Sequence, residues 1–435
     1  MDIFSRAQQK FNISAFNEMQ EKAFEIIPLG LDTILLSLTG SGKTLAFLLP
    51  LLSKIENDKA NPQLLIITPT RELALQIHNV IHTLALGLNT TCCYGGHPIR
   101  FEKTALQTGP SVVVGTPGRI LDHMERKNIN PENVKLLVLD EFDKILEMGF
   151  HDQMESVVKF LKYKPQYILT SATEAIDLPE FLPLLNPQRL DYIQTRRTQG
   201  IQYWKVISSQ KDKLPALKQL IEDIGRESTF VFVNFRESAQ RIHEEFTLIG
   251  IRSEVFHGGL DQEQRETVLS KFRNHSIKIL VTTDLAGRGL DIPKVQNIVH
   301  YHMPIDEEAF IHRNGRTARM DAQGEVYLII HKEEVNPSFI PDNIPTYEAK
   351  NTFPDLNSSD WQTLKINRGR RDKIRKFDIV GFLSKIGKLG QDELGLVEVK
   401  ENHSLAAIKS EKIDQVCQLV NGQKVKGKKA RVNKI

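Results

Sequence analysis

Short apolar runs recur along the chain, and a longer helix-like pattern follows most of them. The runs lie at residues 33–36, 64–68, 112–114, 136–139 and 167–169 in the first half and at 230–233, 279–282, 298–301 and 326–330 in the second. Continuous apolar runs that alternate with helices are typical of parallel strands buried on both faces. The pattern predicts an α/β fold in which each half forms a doubly wound parallel sheet.

Two polar stretches divide this pattern. Residues 194–202 predict an interdomain linker, and residues 332–359, which are rich in proline, asparagine and aspartate, predict a second break. The last stretch has strand-like and helix-like pieces in the order β-α-β-β-α-β, the layout of an RNA recognition motif (RRM). We therefore predict domains at 1–194 and 203–332 and a small α+β domain at 359–435.

The composition is that of an ordinary globular protein, with 435 residues of which 40% are apolar and 26% charged. The longest apolar run, near 45–52, is too short for a membrane span, and residues 1–6 lack the features of a signal peptide. Cys92, Cys93 and Cys417 show no metal-ligand spacing, and the first two are most simply strand residues. We expect reduced thiols, a cytoplasmic location and no membrane partner.

The net charge of +3 conceals an asymmetry between the two ends of the chain. Residues 361–435 carry 18 Lys and Arg against 8 Asp and Glu, whereas the preceding 360 residues carry 39 against 46. The basic charges cluster at 368–376 and again at 424–429. A solvated lysine-rich face is the simplest explanation, but the clustering favours a polyanionic partner.

A phosphate-binding loop is predicted at residues 38–44, with the sequence Leu-Thr-Gly-Ser-Gly-Lys-Thr, between an apolar run and an apolar helix. Its glycines let backbone N–H groups surround phosphate oxygens, and the following helix N-terminus adds positive potential. Lys43 would reach the β- and γ-phosphates of ATP and Thr44 would bind Mg²⁺, although Ser37 stands where the general pattern has glycine. The predicted nucleotide-binding loop residues are Thr39, Gly40, Ser41, Gly42, Lys43 and Thr44.

Two further segments suit phosphoryl transfer. Asp140 directly follows the run 136–139, where an acidic residue can hold Mg²⁺, and Glu141 is placed to act as a base or to orient water. In 312–319, Arg316 and Arg319 fit a charge clamp on the γ-phosphate. Taken singly, the acidic residues could be helix caps and the arginines could belong to a salt-bridged surface helix. The combination of both segments with the phosphate loop favours two domains that close over one nucleotide.

With these motifs, residues 1–332 resemble the DEAD-box ATP-dependent RNA helicases of superfamily 2, which have two RecA-like domains. The matching segments follow the family order and lie at 69–74, 95–96, 116–119, 140–143, 171–173, 257–259, 262–265, 283–284, 288–291 and 312–319. Two departures stand out: Phe142 replaces the alanine of the name-giving tetrad, and Phe16 and Asn17 replace the usual Pro-Thr near the adenine-reading Gln20.

The resemblance implies a role for each matching residue. Lys43, Thr44, Asp140 and Glu141 would form the ATP and Mg²⁺ site, Arg316 and Arg319 would complete it, Gln20 would read adenine, and Asp291 would hold the ribose. Coupling to RNA would run through Asp143, Ser171, Thr173 and His312. The RNA backbone would be bound by Pro69, Thr70, Arg71, Gly95, Gly96, Thr116, Pro117, Gly118, Arg119, Gln262, Arg265 and Thr283.

Residues 363–367 and 373–379 resemble the C-terminal RNA-binding domain of DbpA-type helicases. The resemblance implies docking on a hairpin of large-subunit (23S) ribosomal RNA near the peptidyl transferase centre, next to a duplex, within pre-ribosomal particles. The central strands offer Leu364, Ile366, Leu405 and Ile408 rather than aromatic rings for base stacking. We therefore expect the basic loop to bind RNA through Arg370, Arg371, Lys373 and Arg375.

The sequence thus predicts an enzyme that couples RNA-stimulated ATP hydrolysis to local duplex unwinding. A nucleotide-gated RNA clamp with the same motifs remains open, since only strand displacement distinguishes it from a helicase. An RNA-binding protein with an inactive ATPase core is disfavoured by the intact charged residues of the predicted ATP site. DNA unwinding is disfavoured by the resemblance.

Overall fold

The computed structural model describes residues 2–37, 40–56, 62–96, 98–173, 178–193, 201–225, 227–284, 295–317, 324–341, 343–349 and 359–435. These residues form two compact units, 2–193 and 201–435. Among them, every helix is too short or too polar to cross a lipid bilayer.

The first unit is built around a parallel sheet. Its described strands are β1 (Thr33–Leu36), β2 (Leu64–Ile67), β3 (Thr90–Cys93), β4 (Val112–Gly115), β5 (Leu136–Leu139), β6 (Gln166–Ser171) and β7 (Gln188–Asp191). They lie in the order β3-β4-β2-β5-β6-β1-β7. Its helices are α1 (Ile3–Phe11), α2 (Glu18–Ile26), α3 (Lys43–Leu52), α4 (Arg71–Leu84), α5 (Arg100–Leu106), α6 (Pro117–Glu125), α7 (Phe142–Glu147) and α8 (His151–Phe160).

Helices cover both faces of this sheet, which explains why its central strands are apolar at every position. In β2, Leu64 and Ile66 pack into one core with α3 and α4, while Leu65 and Ile67 pack into a second core with α6, α7 and α8. Successive strand residues point to opposite faces, so both sets must be apolar. The doubly wound fold predicted from the sequence is confirmed.

The second unit contains another parallel sheet, in the order β10-β11-β9-β12-β13-β8. Its strands are β8 (Ile201–Ser208), β9 (Thr229–Phe232), β10 (Ser253–Phe256), β11 (Ile279–Thr282), β12 (Asn297–His300) and β13 (Gly324–His331), and its helices are α9 (Leu214–Ile224), α10 (Arg236–Leu248), α11 (Gln262–Arg273) and α12 (Glu307–Asn314). The predicted linker at 194–202 was too long, because β8 already begins at Ile201; residues 194–200 lie outside the described residues.

The C-terminal part of the second unit is a small α+β domain. It contains β14 (Trp361–Ile366), α13 (Lys376–Lys385), β15 (Leu394–Val399), β16 (Ser404–Lys409), α14 (Ile413–Val420), a hairpin of β17 (Lys424–Val425) and β18 (Lys428–Lys429), and β19 (Val432–Lys434). Four strands form an antiparallel sheet in the order β15-β16-β14-β19. Apart from the hairpin, this is the β-α-β-β-α-β order that the sequence predicts.

The two faces of this small sheet have different partners. Leu364 and Ile408 point into the domain's own core with α13 and α14. On the opposite face, Thr363, Leu405 and Ala407 are also almost fully buried, because α11 lies against β16. The C-terminal domain is therefore docked on α11 through the sheet face that an RRM would normally present to RNA.

Candidate functional site

The predicted phosphate loop connects β1 to α3, and α2 packs against it. Gly42 adopts φ 92°, a left-handed conformation that favours glycine, and a Cβ there would meet the Gln20 amide at 2.5 Å. Asn17 Nδ2 donates to the Ser41 carbonyl at 3.0 Å, and Gln20 Nε2 donates to the Gly42 carbonyl at 3.2 Å. The start of α2 thus fixes the loop.

Gln20 is engaged at both ends of its amide. Besides its bond to Gly42, its Oε1 accepts the Asn17 backbone N–H at 3.0 Å, which completes a capping box at the start of α2. The adenine contact of Gln20 stays a prediction. Asn17, which departs from the family pattern, caps α2 and also binds the phosphate loop through the Ser41 carbonyl.

Lys43 directs its ammonium group towards backbone oxygens at the ends of two neighbouring strands. Its Nζ donates to the carbonyl of Ser37 and, at 3.3 Å, to that of Ser171. Ser37 itself extends the β1–β6 pairing through a hydrogen bond to the same Ser171 carbonyl at 3.0 Å. The buried ammonium is therefore held at the carboxyl edge of the sheet, where phosphates bind in this class of fold.

Asp140 and Glu141 follow β5 and share one partner, Thr170 of β6. The Thr170 hydroxyl donates to Asp140 Oδ1 at 2.5 Å and accepts the Glu141 N–H at 3.1 Å. Glu141 has φ 52° and ψ 53°, a left-handed conformation uncommon outside glycine and often retained at functional sites. Burial raises the pKa of Asp140, whereas the Thr170 hydrogen bond and the Lys43 charge oppose that rise.

The oxygen atoms in this region suit a hard divalent cation. Asp140 offers a carboxylate whose Oδ1 accepts the Thr170 hydroxyl. Thr44 offers a hydroxyl in the first turn of α3. Carboxylate, hydroxyl and phosphate oxygens are ligands that Mg²⁺ accepts, so the donor set fits this ion.

Three of the predicted coupling residues lie together in the first unit. Thr173 Oγ1 donates to Asp143 Oδ2 at 3.3 Å, and the Ser171 and Thr173 hydroxyls are 3.2 Å apart. The segment after β6 is thereby tied to α7. Phe142, the departure within the tetrad, is fully buried and packs into the core that α6, α7 and α8 form with one face of the sheet.

The predicted RNA-binding segments of the first unit follow three adjacent strands. Pro69 to Arg71 follow β2, Gly95 and Gly96 follow β3, and Thr116 to Arg119 follow β4. Because these strands are parallel neighbours, the segments share one edge of the sheet. The Arg71 guanidinium lies close to Gly95, at 3.2 Å from where a Cβ would stand. The phosphate loop follows β1 and the acidic pair follows β5, so both lie on the other half of the same edge.

Glu102 joins two of these RNA segments, and no sequence motif indicated it. The buried carboxylate of Glu102 accepts the Tyr94 N–H at 2.7 Å, next to Gly95, and accepts from Arg119 at 2.6 Å and from His123 at 2.8 Å. Three donors on one carboxylate fix the backbone before Gly95 and the side chain of Arg119 in one arrangement.

Cys93, Glu102 and His123 lie close enough together to hold a metal ion. Their chemistry favours a hydrogen-bonded network instead. Glu102 already binds three donors, and the second ring nitrogen of His123 is 3.0 Å from the Asn128 amide. Burial raises the pKa of the Cys93 thiol well above its ordinary value, so the thiolate that a metal requires is disfavoured.

In the second unit, the predicted residues again follow strands or begin helices. Gln262 and Arg265 lie in the first turns of α11, and Arg265 donates to the Gly258 carbonyl at 2.9 Å. Thr283 directly follows β11, while His312 and Arg316 are buried in and just after α12. Thr39, Asp291 and Arg319 lie outside the described residues.

Arg313 is a further residue to which the sequence assigned no role. It is fully buried and binds both carboxylate oxygens of Asp284, at 2.5 and 3.1 Å. It also donates to Asn234 at 2.8 Å and to the His302 carbonyl at 2.9 Å, and it stacks over Phe232. Arg313 thus holds together the segments after β9, β11 and β12, including the one that carries Thr283.

The basic loop of the C-terminal domain is braced by the β17–β18 hairpin. Lys426 Nζ donates to the Lys373 carbonyl at 3.0 Å, and Lys428 pairs with Asp372 at 3.0 Å. The loop and the hairpin therefore form one surface, called here the cationic surface. Its exposed basic residues are Arg370, Arg371, Lys373, Arg375, Lys376, Lys424, Lys426, Lys428 and Lys429.

Known protein families match each part of this arrangement. The DEAD/DEAH box helicase model matches residues 17–180, the helicase conserved C-terminal domain matches 212–321, and the DbpA RNA binding domain matches 363–434. The chain is a DbpA-type DEAD-box helicase. Helicases of this family are ATP-dependent enzymes that act on RNA, so the predicted enzyme class is confirmed.

Relatives and solved structures agree with this membership. The chain is 33% identical to the ATP-dependent RNA helicase DbpA of Escherichia coli (strain K12), over 95% of this chain and 93% of the relative, and 30% identical to DbpA of Bacillus subtilis (strain 168), over 94% and 93%. Yeast (S. cerevisiae) Dbp5 bound to RNA and ADP BeF3 superimposes with a TM-score of 0.68 at 29% identity, over 77% of this helicase and 88% of Dbp5. Mss116p bound to ssRNA and AMP-PNP also gives 0.68, at 26% identity, over 76% and 73%.

Proposed function

We propose that this helicase couples RNA-stimulated ATP hydrolysis to local separation of RNA duplexes, and that its C-terminal domain directs it to a hairpin of 23S ribosomal RNA in pre-ribosomal particles. The observation that carries the proposal is that the C-terminal domain is docked on α11, through Glu263 in its first turn and Arg273 at its end. The same helix carries Gln262 and Arg265, which we expect to bind the RNA backbone.

At the nucleotide, Lys43 would exchange its carbonyl partners for the β- and γ-phosphates of ATP, and the backbone N–H groups of 39–44 would surround the remaining phosphate oxygens. Asp140 and Thr44 would hold Mg²⁺, which neutralises phosphate charge when bound. Glu141, fixed through its N–H by Thr170, would orient the attacking water or accept its proton. Arg316 and Arg319 are the proposed charge clamps, and Asp291 the ribose contact.

On the RNA, the segments after β2, β3 and β4 offer small residues, hydroxyls and the guanidiniums of Arg71 and Arg119. Contacts of this kind bind sugars and phosphates and carry no base sequence. The Asp143–Thr173 hydrogen bond links α7, next to the catalytic acids, with the segment after β6. We propose that it transmits nucleotide state to the RNA side, together with Ser171 and His312.

The C-terminal domain would supply the target preference. Glu398 of β15 binds Arg273 of α11 through two hydrogen bonds, at 2.9 and 3.0 Å, and Thr363 binds Asn274 at 2.8 Å. These contacts fix the cationic surface relative to α11. A hairpin bound there would hold the neighbouring duplex close to the motor at high effective concentration.

ATPase stimulation tests this proposal. Turnover is measured for the full chain with no RNA, with poly(U), and with a large-subunit rRNA fragment that carries the peptidyl-transferase-centre hairpin. We expect the fragment to stimulate at much lower concentration than poly(U), and we expect Arg370→Ala combined with Arg375→Ala to remove that preference. Lys385→Ala, an exposed lysine at the other end of α13, is the control. Equal stimulation by both RNAs would contradict the targeting.

A further inference from the structure

The centre of the sheet face that could stack bases is covered in this helicase. Thr363, Leu405 and Ala407 are at most 1% exposed beneath the docked second RecA-like domain. Buried polar contacts also connect the two domains: the Thr363 hydroxyl is hydrogen-bonded to Asn274 and to Ser276, both at 2.8 Å. At the rim of this face, Trp361 is only partly exposed and lies beneath the Lys409 ammonium, so a freely exposed ring has to come from another surface.

Phe377 is the aromatic residue that this other surface provides. It lies in the first turn of α13 and is 86% exposed, whereas Ile379, Phe382 and Leu383 of the same helix are buried in the core. Position 377 is two residues from Ile379, which corresponds to about 200° around the helix. The ring therefore points away from the core and contributes little to the stability of the domain.

Single exposed apolar residues are common on protein surfaces, so exposure by itself indicates no ligand. The surroundings of Phe377 distinguish it. Arg375 and Lys376 precede it directly, and Lys426 of the hairpin reaches its other neighbour, Asp378, at 3.4 Å. Residues 368–378 and 424–429 together carry ten Lys and Arg against two Asp. The ring thus lies within the cationic surface.

The two acidic groups in this surface are already occupied. Asp372 pairs with Lys428, and Asp378 accepts the Arg375 N–H at 2.7 Å besides its contact with Lys426. They neutralise part of the charge without repelling an incoming polyanion strongly. An exposed ring beside a net positive charge of +8 is complementary to a nucleotide, which has a flat base and an anionic phosphate.

We propose that Phe377 is a stacking platform for an unpaired base of a structured RNA, with the flanking phosphates bound by the cationic surface. The inference rests on the proposed RNA-binding role of the C-terminal domain and specifies its ligand as an unpaired nucleotide next to a stem. It assigns base recognition to the start of α13 instead of the strands that an RRM uses.

Equilibrium binding of the full chain to two RNA probes tests the platform. One probe is a hairpin whose unpaired loop contains 2-aminopurine, and the other is a blunt duplex with the same stem. Phe377→Ala should weaken hairpin binding about 5- to 20-fold, in the range measured for base stacking on aromatic side chains, and leave duplex binding unchanged. Phe377→Trp should retain the hairpin affinity and the change in 2-aminopurine fluorescence.

Two controls separate the possible failures. Tyr163→Ala removes a 67% exposed aromatic ring from the first unit and should alter neither probe's binding. Arg370→Ala combined with Arg375→Ala should weaken both probes. If only the double variant weakens the hairpin, the stacking platform is wrong and the RNA-binding role stands. If neither the double variant nor Phe377→Ala changes binding, both the stacking platform and the RNA-binding role of the C-terminal domain are wrong.

Discussion

Thr170 donates a hydrogen bond from its hydroxyl to Asp140, which lies thirty residues earlier in the chain and directly follows the neighbouring strand β5. The same oxygen accepts the Glu141 N–H. One hydroxyl therefore orients the carboxylate proposed to hold Mg²⁺ and fixes the left-handed backbone of the residue proposed to orient water. Thr170 is a positioning residue, since it acts through both of its partners.

Thr170→Val keeps the shape of the side chain and removes the hydroxyl. We expect ATP turnover at saturating RNA to fall about 10- to 100-fold, the effect of losing a hydrogen bond to a charged group. We also expect weaker binding of a fluorescent ADP in Mg²⁺ and little change in EDTA. Thr170→Ser should restore most of the turnover and binding. Unchanged values for Thr170→Val would refute the positioning role.

Glu102→Gln tests whether one carboxylate organises the RNA edge of the first unit. The amide NH₂ would face one of the three donors that Glu102 now accepts, at Tyr94, Arg119 and His123. We expect the RNA concentration for half-maximal ATPase to rise several-fold, while ATP binding is preserved. Glu125→Gln, at the exposed end of α6, is the control. An unchanged RNA requirement would mean that Arg119 needs no such support.

Arg313→Lys tests the buried ion pair with Asp284. Lysine keeps the charge but cannot bind both carboxylate oxygens together with Asn234 and the His302 carbonyl. We expect a loss of about 2–4 kcal/mol of stability, seen as a lower thermal unfolding temperature. Arg241→Lys changes an exposed pair with Asp212 at 2.6 Å and should cost less than about 1 kcal/mol. Similar losses of stability for Arg313→Lys and Arg241→Lys would contradict a special role of the buried ion pair.

Docking of the C-terminal domain should depend on pH through Glu398. Burial alone would raise the pKa of Glu398, but the charges of Lys400 and Arg273 lower it to about 2 from an ordinary value of 4.5. The Arg273 ion pair crosses the interface, whereas Lys400 belongs to the C-terminal domain itself, so only the Arg273 part of this pKa lowering stabilises docking. That contribution is fully present above pH 4.5 and is lost as the pH falls towards 2.

Trp361 reports on this docking, because it lines a cleft with His275 and Gln296 of the second RecA-like domain. In a Trp204→Phe background it is the remaining tryptophan. We expect Glu398→Gln to shift its emission at pH 7 towards that of a solvated indole, and the parent to shift only below pH 4.5. Glu401→Gln, at an exposed pair with Arg371, should not shift it. A Trp361 emission spectrum of the parent that does not change with pH would contradict the role of Glu398 in docking.

The sequence predicted the central strands well and missed strands at the edges of the sheets. The pattern of apolar runs did not include β3, β7, β8 or β10, and each of these lies at one end of its sheet. β7, for example, reads Gln-Arg-Leu-Asp and buries Leu190 alone. An edge strand is covered on fewer sides, so it needs no continuous apolar run, and its residues resemble a loop.

The positions of site residues could be predicted where a motif directly follows a strand, as at Asp140 and Thr116, while their roles stay predictions. No motif indicates a role for Thr170, Glu102 or Arg313, since their contacts join residues that lie between 8 and 79 positions apart in the chain. The docking of the C-terminal domain was missed for the same reason. Thr363 and Leu405 read as ordinary strand residues, and nothing local indicates that α11 covers them.

Strand displacement tests the central claim most directly. The substrate is a short RNA strand paired next to the 23S hairpin, and release of the strand is followed with the full chain, with and without ATP. We predict ATP-dependent release by the parent, little release by Lys43→Ala, and slower release when the hairpin is absent. Tight, ATP-dependent RNA binding without release would contradict unwinding and identify the protein as a nucleotide-gated clamp.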